Sequence, residues 1–148
     1  MAVDSRSKGQ RGEYQVRDLF RKFTGEGWER TPQSGALSYL KTDIYIPNCD
    51  NTHAIEVKNY EQPILDIKIF TNKSSNFKVF WEKVVEQAAE RDQEPLLAFK
   101  HSRSKWYLAT RNKPEIVEEY IHINWLGCYV MLLEPWLAEE IDFTVWSR

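Results

Sequence analysis

Glu56 and Lys58 lie two residues apart inside the apolar run His53-Ala-Ile-Glu-Val-Lys-Asn-Tyr60. An acid and a base inside a strand-like segment constrain this chain more than any other feature, because burying charge in a central strand is costly unless something compensates it. Thirteen residues before Glu56, Asp43 sits in a second apolar run, Thr42-Asp-Ile-Tyr-Ile-Pro47. The strand period of two puts Ala54, Glu56, Lys58 and Tyr60 on one face and Ile55 and Val57 on the other. Between the runs, Asn48-Cys-Asp-Asn51 is rich in turn formers. A four-residue hairpin loop there sets Pro47 opposite Thr52 and Asp43 opposite Glu56.

Facing carboxylates repel across a strand pair unless a cation lies between them. Oxygen-only ligands favour Mg²⁺, or Mn²⁺ in its place, and no Cys/His cluster with zinc spacing competes. The plainer alternative is that Asp43 ends a turn while Glu56 pairs with Lys58 at a sheet edge.

A third acid comes from the segment Ser7 to Phe23, where Val16, Leu19, Phe20 and Phe23 follow a helical i, i+3, i+4, i+7 pattern. Glu13 falls on the flank of that apolar stripe, and Gly9 and Gly12 fall on the same side. Each glycine costs a helix interior about 1 kcal/mol relative to alanine. Close approach of a phosphate backbone or a neighbouring strand explains them, with fraying of the first turn as the alternative for Gly9. Arg6, Lys8 and Arg11 crowd the same end, as a phosphate-binding patch or as an ordinary solvated face.

Glu13, Asp43, Glu56 and Lys58 together resemble the PD-(D/E)xK nuclease superfamily, and more narrowly its archaeal and phage Holliday-junction resolvases. The resemblance rests on Lys8-Gly9 through Glu13, then Gln33-Ser34-Gly35-Ala36, then Thr42-Asp43 and Ile55-Glu56-Val57-Lys58. It spans roughly residues 7 to 100, with Thr42 where the superfamily name expects proline. The resemblance implies a restriction-endonuclease-like α/β fold, a central mixed β-sheet flanked by helices, and a Mg²⁺-dependent endonuclease cutting branched DNA as a homodimer. It also implies that Asp43, Glu56 and the Val57 carbonyl ligate metal, that Glu13 does so directly or through water, and that Ser34 lies near the scissile phosphate. Lys58 is expected to act electrostatically, since a lysine beside carboxylates stays protonated. Ser34 has a turn residue as its alternative reading.

Asn76 to about Arg91 predicts a second helix, with Phe77, Phe80, Trp81, Val84, Val85 and Ala88 as its core stripe. Gln87 flanks that stripe and is a candidate accessory to the metal-site waters. Before this helix, Lys68, Lys73 and Lys78 alternate with small polar residues, suited either to phosphate contact or to a solvated connection. Lys8, Arg11, Lys73 and Lys78 are the candidate DNA contacts. Strands are expected at Pro95–Lys100, Lys105–Thr110 and Cys128–Leu133, and short helices at Pro114–Tyr120 and Pro135–Ile141.

No repeat or linker divides the 148 residues, so one nuclease domain is expected, with its motifs within about 7–110. No apolar run is long enough to cross a bilayer, and neither a membrane partner nor an organic cofactor is expected. Cys49 and Cys128 form no evident framework and point to a reducing cytoplasm, the host's if the chain is phage-encoded. His53, His101 and His122 are scattered and read as non-catalytic.

The net charge of −2 is unfavourable for gripping DNA. It is segregated, however: residues 114–148 hold seven acids and one base, the remainder fifteen acids and nineteen bases. Within the aromatic-rich C-terminal region, Trp125, Tyr129, Trp136, Phe143 and Trp146 are available for an interface or for the core. A non-catalytic nucleic-acid-binding module of the same fold, or a restriction or repair endonuclease, are the alternatives.

Overall fold

The computed structural model describes residues 5–32, 42–71 and 75–141. Ser34 and its neighbours, Lys73, Phe143 and Trp146 lie outside the described residues.

A seven-stranded mixed sheet forms the centre, in the order β1-β2-β3-β4-β5-β7-β6. The strands are β1 (Glu29–Arg30), β2 (Ile44–Tyr45), β3 (His53–Tyr60), β4 (Glu94–His101), β5 (Tyr107–Thr110), β6 (Ile121–Ile123) and β7 (Cys128–Leu132). Among the described residues, only β3 and β4 run parallel. Parallel neighbours need a crossover, supplied by a 3-10 turn at Ile67–Phe70 and helix α2 (Asn76–Glu90).

Helix α1 (Ser5–Thr24) covers one face of the sheet, where Val16 and Phe20 join Ile44, Ile55, Val57, Leu96 and Leu108. The helix ends in a positive-φ Gly25, whose N–H donates to the Arg21 carbonyl at 3.0 Å, a left-handed cap that glycine adopts without strain. The Thr24 hydroxyl, itself donating to the Phe20 carbonyl at 2.6 Å, accepts the buried indole N–H of Trp28 at 2.9 Å. Helix α2 covers the other face through Phe77, Trp81 and Val84, packed with Leu97, Phe99 and Val130. No helix among the described residues is long and apolar enough to cross a membrane.

The β2–β3 hairpin pairs Ile44 with Ile55, the register expected, and the Asp43 N–H also donates to the Ile55 carbonyl, which sets Asp43 alongside Ile55 to Val57. Asn51 fastens the turn, accepting from the Ile46 N–H at 2.7 Å and donating to the Ile46 carbonyl at 2.9 Å. The strand itself is shorter than the run Thr42–Pro47 suggests, since ladder pairing covers Ile44 and Tyr45 only.

At the C-terminal end one expected helix is missing and another begins earlier. The helix expected over Pro114–Tyr120 is absent, and the segment is irregular. Its N–H groups at Glu115, Ile116 and Val117 donate to the Glu140 carboxylate, and the chain then extends into the unanticipated strand β6. The last helical segment starts earlier than Pro135, at Leu133, and passes into a π-helical turn over Trp136–Glu140. Leu133, Trp136 and Leu137 are buried against the α1 side of the core.

Candidate active site

Asp43 is held at the start of β2, between β1 and β3, by three backbone-linked bonds. Its N–H donates to the Ile55 carbonyl at 2.9 Å, its carbonyl accepts from the Thr31 N–H at 2.9 Å, and its Oδ2 accepts from the Val57 N–H at 2.7 Å. Because β-strand groups alternate sides every residue, the Val57 carbonyl points to the same edge as the Val57 N–H, toward Asp43. Among the described residues nothing pairs with β3 beyond that point on this side. Strand β3 therefore carries Glu56 and Lys58 toward one face while offering a main-chain oxygen along its edge.

Glu13 arrives from α1. The helix comes unusually close to β3 at Gly12, where a Cβ would lie 2.8 Å from Asn59 Cβ and 3.3 Å from Trp106 Cη2. Asn59 Nδ2 donates to the Lys8 carbonyl at 3.1 Å, and Trp106 Nε1 donates to Gln15 Oε1 at 3.2 Å. These ties fix the helix so that Glu13, only 6% exposed, meets Asp43. A Cβ at Gly9 would meet nothing within 4 Å, so that position faces open space.

Asp43 lies beside both Glu13 and Glu56, close enough that its charge helps to raise both carboxyls. Burial pushes the Glu56 carboxyl up to about 9; the Asp43 carboxylate adds to this, and Lys58 and Lys83 oppose it. The Glu13 carboxyl is raised to about 7 by burial and by Asp43, against the pull of Arg30. Two buried carboxyls, raised by burial and by the charge of Asp43 between them, form with Asp43 a donor set a hard divalent cation would suit. Among the described residues no trio of acidic, His or Cys side chains closes into a ready-made cage. A bound cation would offset the repulsion among the carboxylates, with Asp43, Glu56, Glu13 and the Val57 carbonyl as the residues able to hold it.

Glu13 and Asp43 open into a groove of about 520 Å³, lined among others by Arg6, Lys8, Gly9, Val57 and Lys58, while Glu56 lies buried behind it. Lys8 stands in its wall with its ammonium donating to Glu61 at 3.3 Å and to the Ser102 hydroxyl at 3.2 Å. Arg11 is exposed on α1 and is not among the lining residues. Lys78 pairs with Glu82 at 3.7 Å and borders a separate depression beside Trp81 and Trp125. Gln87 is half-buried, and its Oε1 has no hydrogen-bond partner among the described residues. Lys83, one helical turn before it, is the α2 residue whose charge reaches Glu56. A second cavity, of about 510 Å³, is lined mainly by apolar side chains such as Ile64, Phe99, Tyr107 and Val130 and contains none of the acids.

Sequence patterning missed Arg30. Its Nη2 lies 3.7 Å from Glu13 Oε2, its Nη1 donates to the Tyr14 hydroxyl at 3.1 Å, and its guanidinium carbon lies 4.5 Å from the Tyr14 ring centroid. A two-residue strand has no period to read, so nothing in the sequence marked this arginine as facing an acid.

The profile described as "Phage putative PDDEXK endonuclease" matches residues 4–129. The chain belongs to this family. It is thus a nuclease of the PD-(D/E)xK superfamily, as the order of its acids and lysine suggested. Protein D14 of Escherichia phage T5 is 35% identical over 150 residues, covering 93% of this endonuclease and 94% of the relative. The solved structure of Hjc, a Holliday junction resolvase from the archaeal hyperthermophile Archaeoglobus fulgidus, is similar at a TM-score of 0.45. That match has 22% identity and covers 82% of this endonuclease and 85% of Hjc.

Proposed function

We propose that this nuclease is a Mg²⁺-dependent, structure-selective DNA endonuclease that resolves branched DNA, most specifically four-way junctions. The observation that carries the reading is Asp43 beside both Glu13 and Glu56, two buried carboxyls whose affinity for protons is raised by burial and then by the Asp43 charge. A bound divalent cation would polarise the phosphodiester and make water a better nucleophile, the two needs of this hydrolysis.

Asp43, Glu56 and the Val57 carbonyl would hold the ion, with Glu13 contributing directly or through water. Lys58 offsets the negative charge that grows on the phosphorus. Ser34 contacts the scissile phosphate, and Lys8, Arg11, Lys73 and Lys78 bind flanking phosphates. Gln87 orients water from α2. The choice of branched DNA rests on the resolvase-like order of helix Glu13, Ser34-Gly35, Asp43 and Glu56-x-Lys58.

Symmetric resolution of a junction needs two sites related by a two-fold axis, hence a homodimer. Ile67, Phe70 and Trp125 are 81%, 73% and 57% exposed, and the Phe70 and Trp125 rings meet at 5.7 Å. This apolar patch is suited to a subunit contact, and sedimentation of the wild-type protein would measure the dimer.

Cleavage of a labelled four-way junction beside linear-duplex and flap controls, with Mg²⁺ or with chelator, tests the reading. Paired, symmetric cuts that need the cation and vanish in Asp43→Asn and Glu56→Gln are expected. Equal cutting of linear duplex would remove the junction selectivity and leave the nuclease. Indifference to Mg²⁺ and to Asp43→Asn would make the chain a binding module.

A further inference from the structure

Phe80 sits on α2 among residues whose spacing reads as core, yet it departs from them. Phe77 and Trp81 are 0% and 2% exposed, whereas Phe80 is only half-buried and lies at the margin of that cluster. Its ring faces the lysine of the ExK motif, with Lys58 Nζ 4.8 Å from the ring centroid. The Tyr60 ring packs against Phe80 at 5.3 Å between centroids and 76° between planes. Tyr60 lines the groove and shares the strand face of Lys58.

We infer that Phe80 is a positioning residue for Lys58, acting through its ring face, and that Tyr60 holds that ring in place. The inference rests on the nuclease reading of Lys58 given above. A lysine ammonium has a flexible four-carbon stem and strong attraction to nearby carboxylates. Glu56 is two residues away on the same strand face. An ammonium that settles against a carboxylate is poorly available to a phosphodiester. The negative face of an aromatic ring attracts a cation without neutralising it, so it can hold the ammonium near the site and release it to a more negative partner. The ring edge-to-face contact with Tyr60 is of the geometry aromatic pairs favour. An apolar side chain of similar size fills the same space on α2 but lacks the ring face.

The test compares Phe80→Leu, which keeps an apolar residue, with Phe80→Tyr and Phe80→Trp, which keep a ring, all in the full chain. Single-turnover cleavage with Mg²⁺ is expected to slow about tenfold in Phe80→Leu, with DNA affinity and urea stability close to wild type, and to recover in the aromatic variants. An independent arm needs no substrate. The Lys58 ε-methylene protons, shifted upfield by the ring in an NMR spectrum of the wild-type protein, are expected to move to the ordinary lysine position in Phe80→Leu. Wild-type cleavage rates in Phe80→Leu, failure of the aromatic variants to restore the rate, or an unshifted Lys58 signal in the wild type would each overturn the role of Phe80 alone. Absence of cleavage by the wild-type protein on every DNA tried would overturn the nuclease reading of Lys58 as well.

Discussion

Gly12 and Gly9 belong to one helix and one predicted face, yet their surroundings differ enough to make opposite predictions. A Cβ at Gly12 would stand 2.8 Å from Asn59 Cβ, a β-carbon fixed to the strand backbone and unable to swing away. Gly12→Ala is therefore expected to push α1 off β3, costing about 1–3 kcal/mol of stability as overpacking does and displacing Glu13 from Asp43. Gly9→Ala meets nothing and should stabilise the helix by up to about 1 kcal/mol. Urea denaturation of both variants checks the pair, and destabilisation by Gly9→Ala would sink the contrast. The sequence made Glu13, Asp43, Glu56 and Lys58 legible because each sits in a run long enough to show its period. Arg30 and Phe80 were illegible for different reasons. The first lies in a strand too short for any pattern, and the second follows a core pattern while its ring serves a charged neighbour.

The segment from Pro114 to Tyr120 shows how an element is lost when the group that organises it is distant in sequence. Proline followed by acids reads as a helix start, and the first-turn N–H groups do find an anion, but it is Glu140, some twenty-five residues on. The chain then leaves the helical path to deliver Ile121–Ile123 to the edge of β7. No local signal encodes either event, whereas β3 and α2 were readable because their partners are met through one uninterrupted apolar face. Burial acts to raise the Glu140 carboxyl, but the three backbone donors outweigh it and hold the group below its ordinary value. A depressed carboxyl contributes stability above its unfolded pKa and loses it as pH falls. Glu140→Ala is accordingly expected to cost about 1 kcal/mol near neutrality, since two of the three donors are exposed and can turn to water. The gap from wild type should narrow as pH drops below the unfolded carboxyl value of 4.5. Denaturant titrations at pH 7 and pH 4 measure it, and an equal gap at both would argue that Glu140 acts through packing.

At the scale of the whole molecule, the acidic centre sets how stability responds to pH and to metal together. Glu56 has its folded pKa raised from 4.5 to about 9, and Glu13 from 4.5 to about 7. A raised carboxyl favours the folded state while protonated, so its contribution is complete below the unfolded value and is lost as pH climbs through the folded one. The metal-free protein should therefore lose stability between pH 7 and pH 8.5. His53 runs the opposite way: burial lowers it from 6.5 to about 4, so its contribution is complete above 6.5 and falls away only in acid. It does not disturb the chosen window. A divalent cation binds the deprotonated acids and competes with their protons, and a ligand that prefers the folded state raises its melting temperature. Thermal melts in chelator and in Mn²⁺ at pH 7 and pH 8.5 are expected to show a fall of several degrees in chelator. The Mn²⁺ increment should be larger at pH 8.5, where fewer protons must leave. Asp43→Asn removes the central charge, so both the pH slope and the Mn²⁺ increment should shrink. A melting temperature that rises with pH in chelator, or an increment untouched by Asp43→Asn, would mean that these carboxyls are not the coupled centre of the molecule.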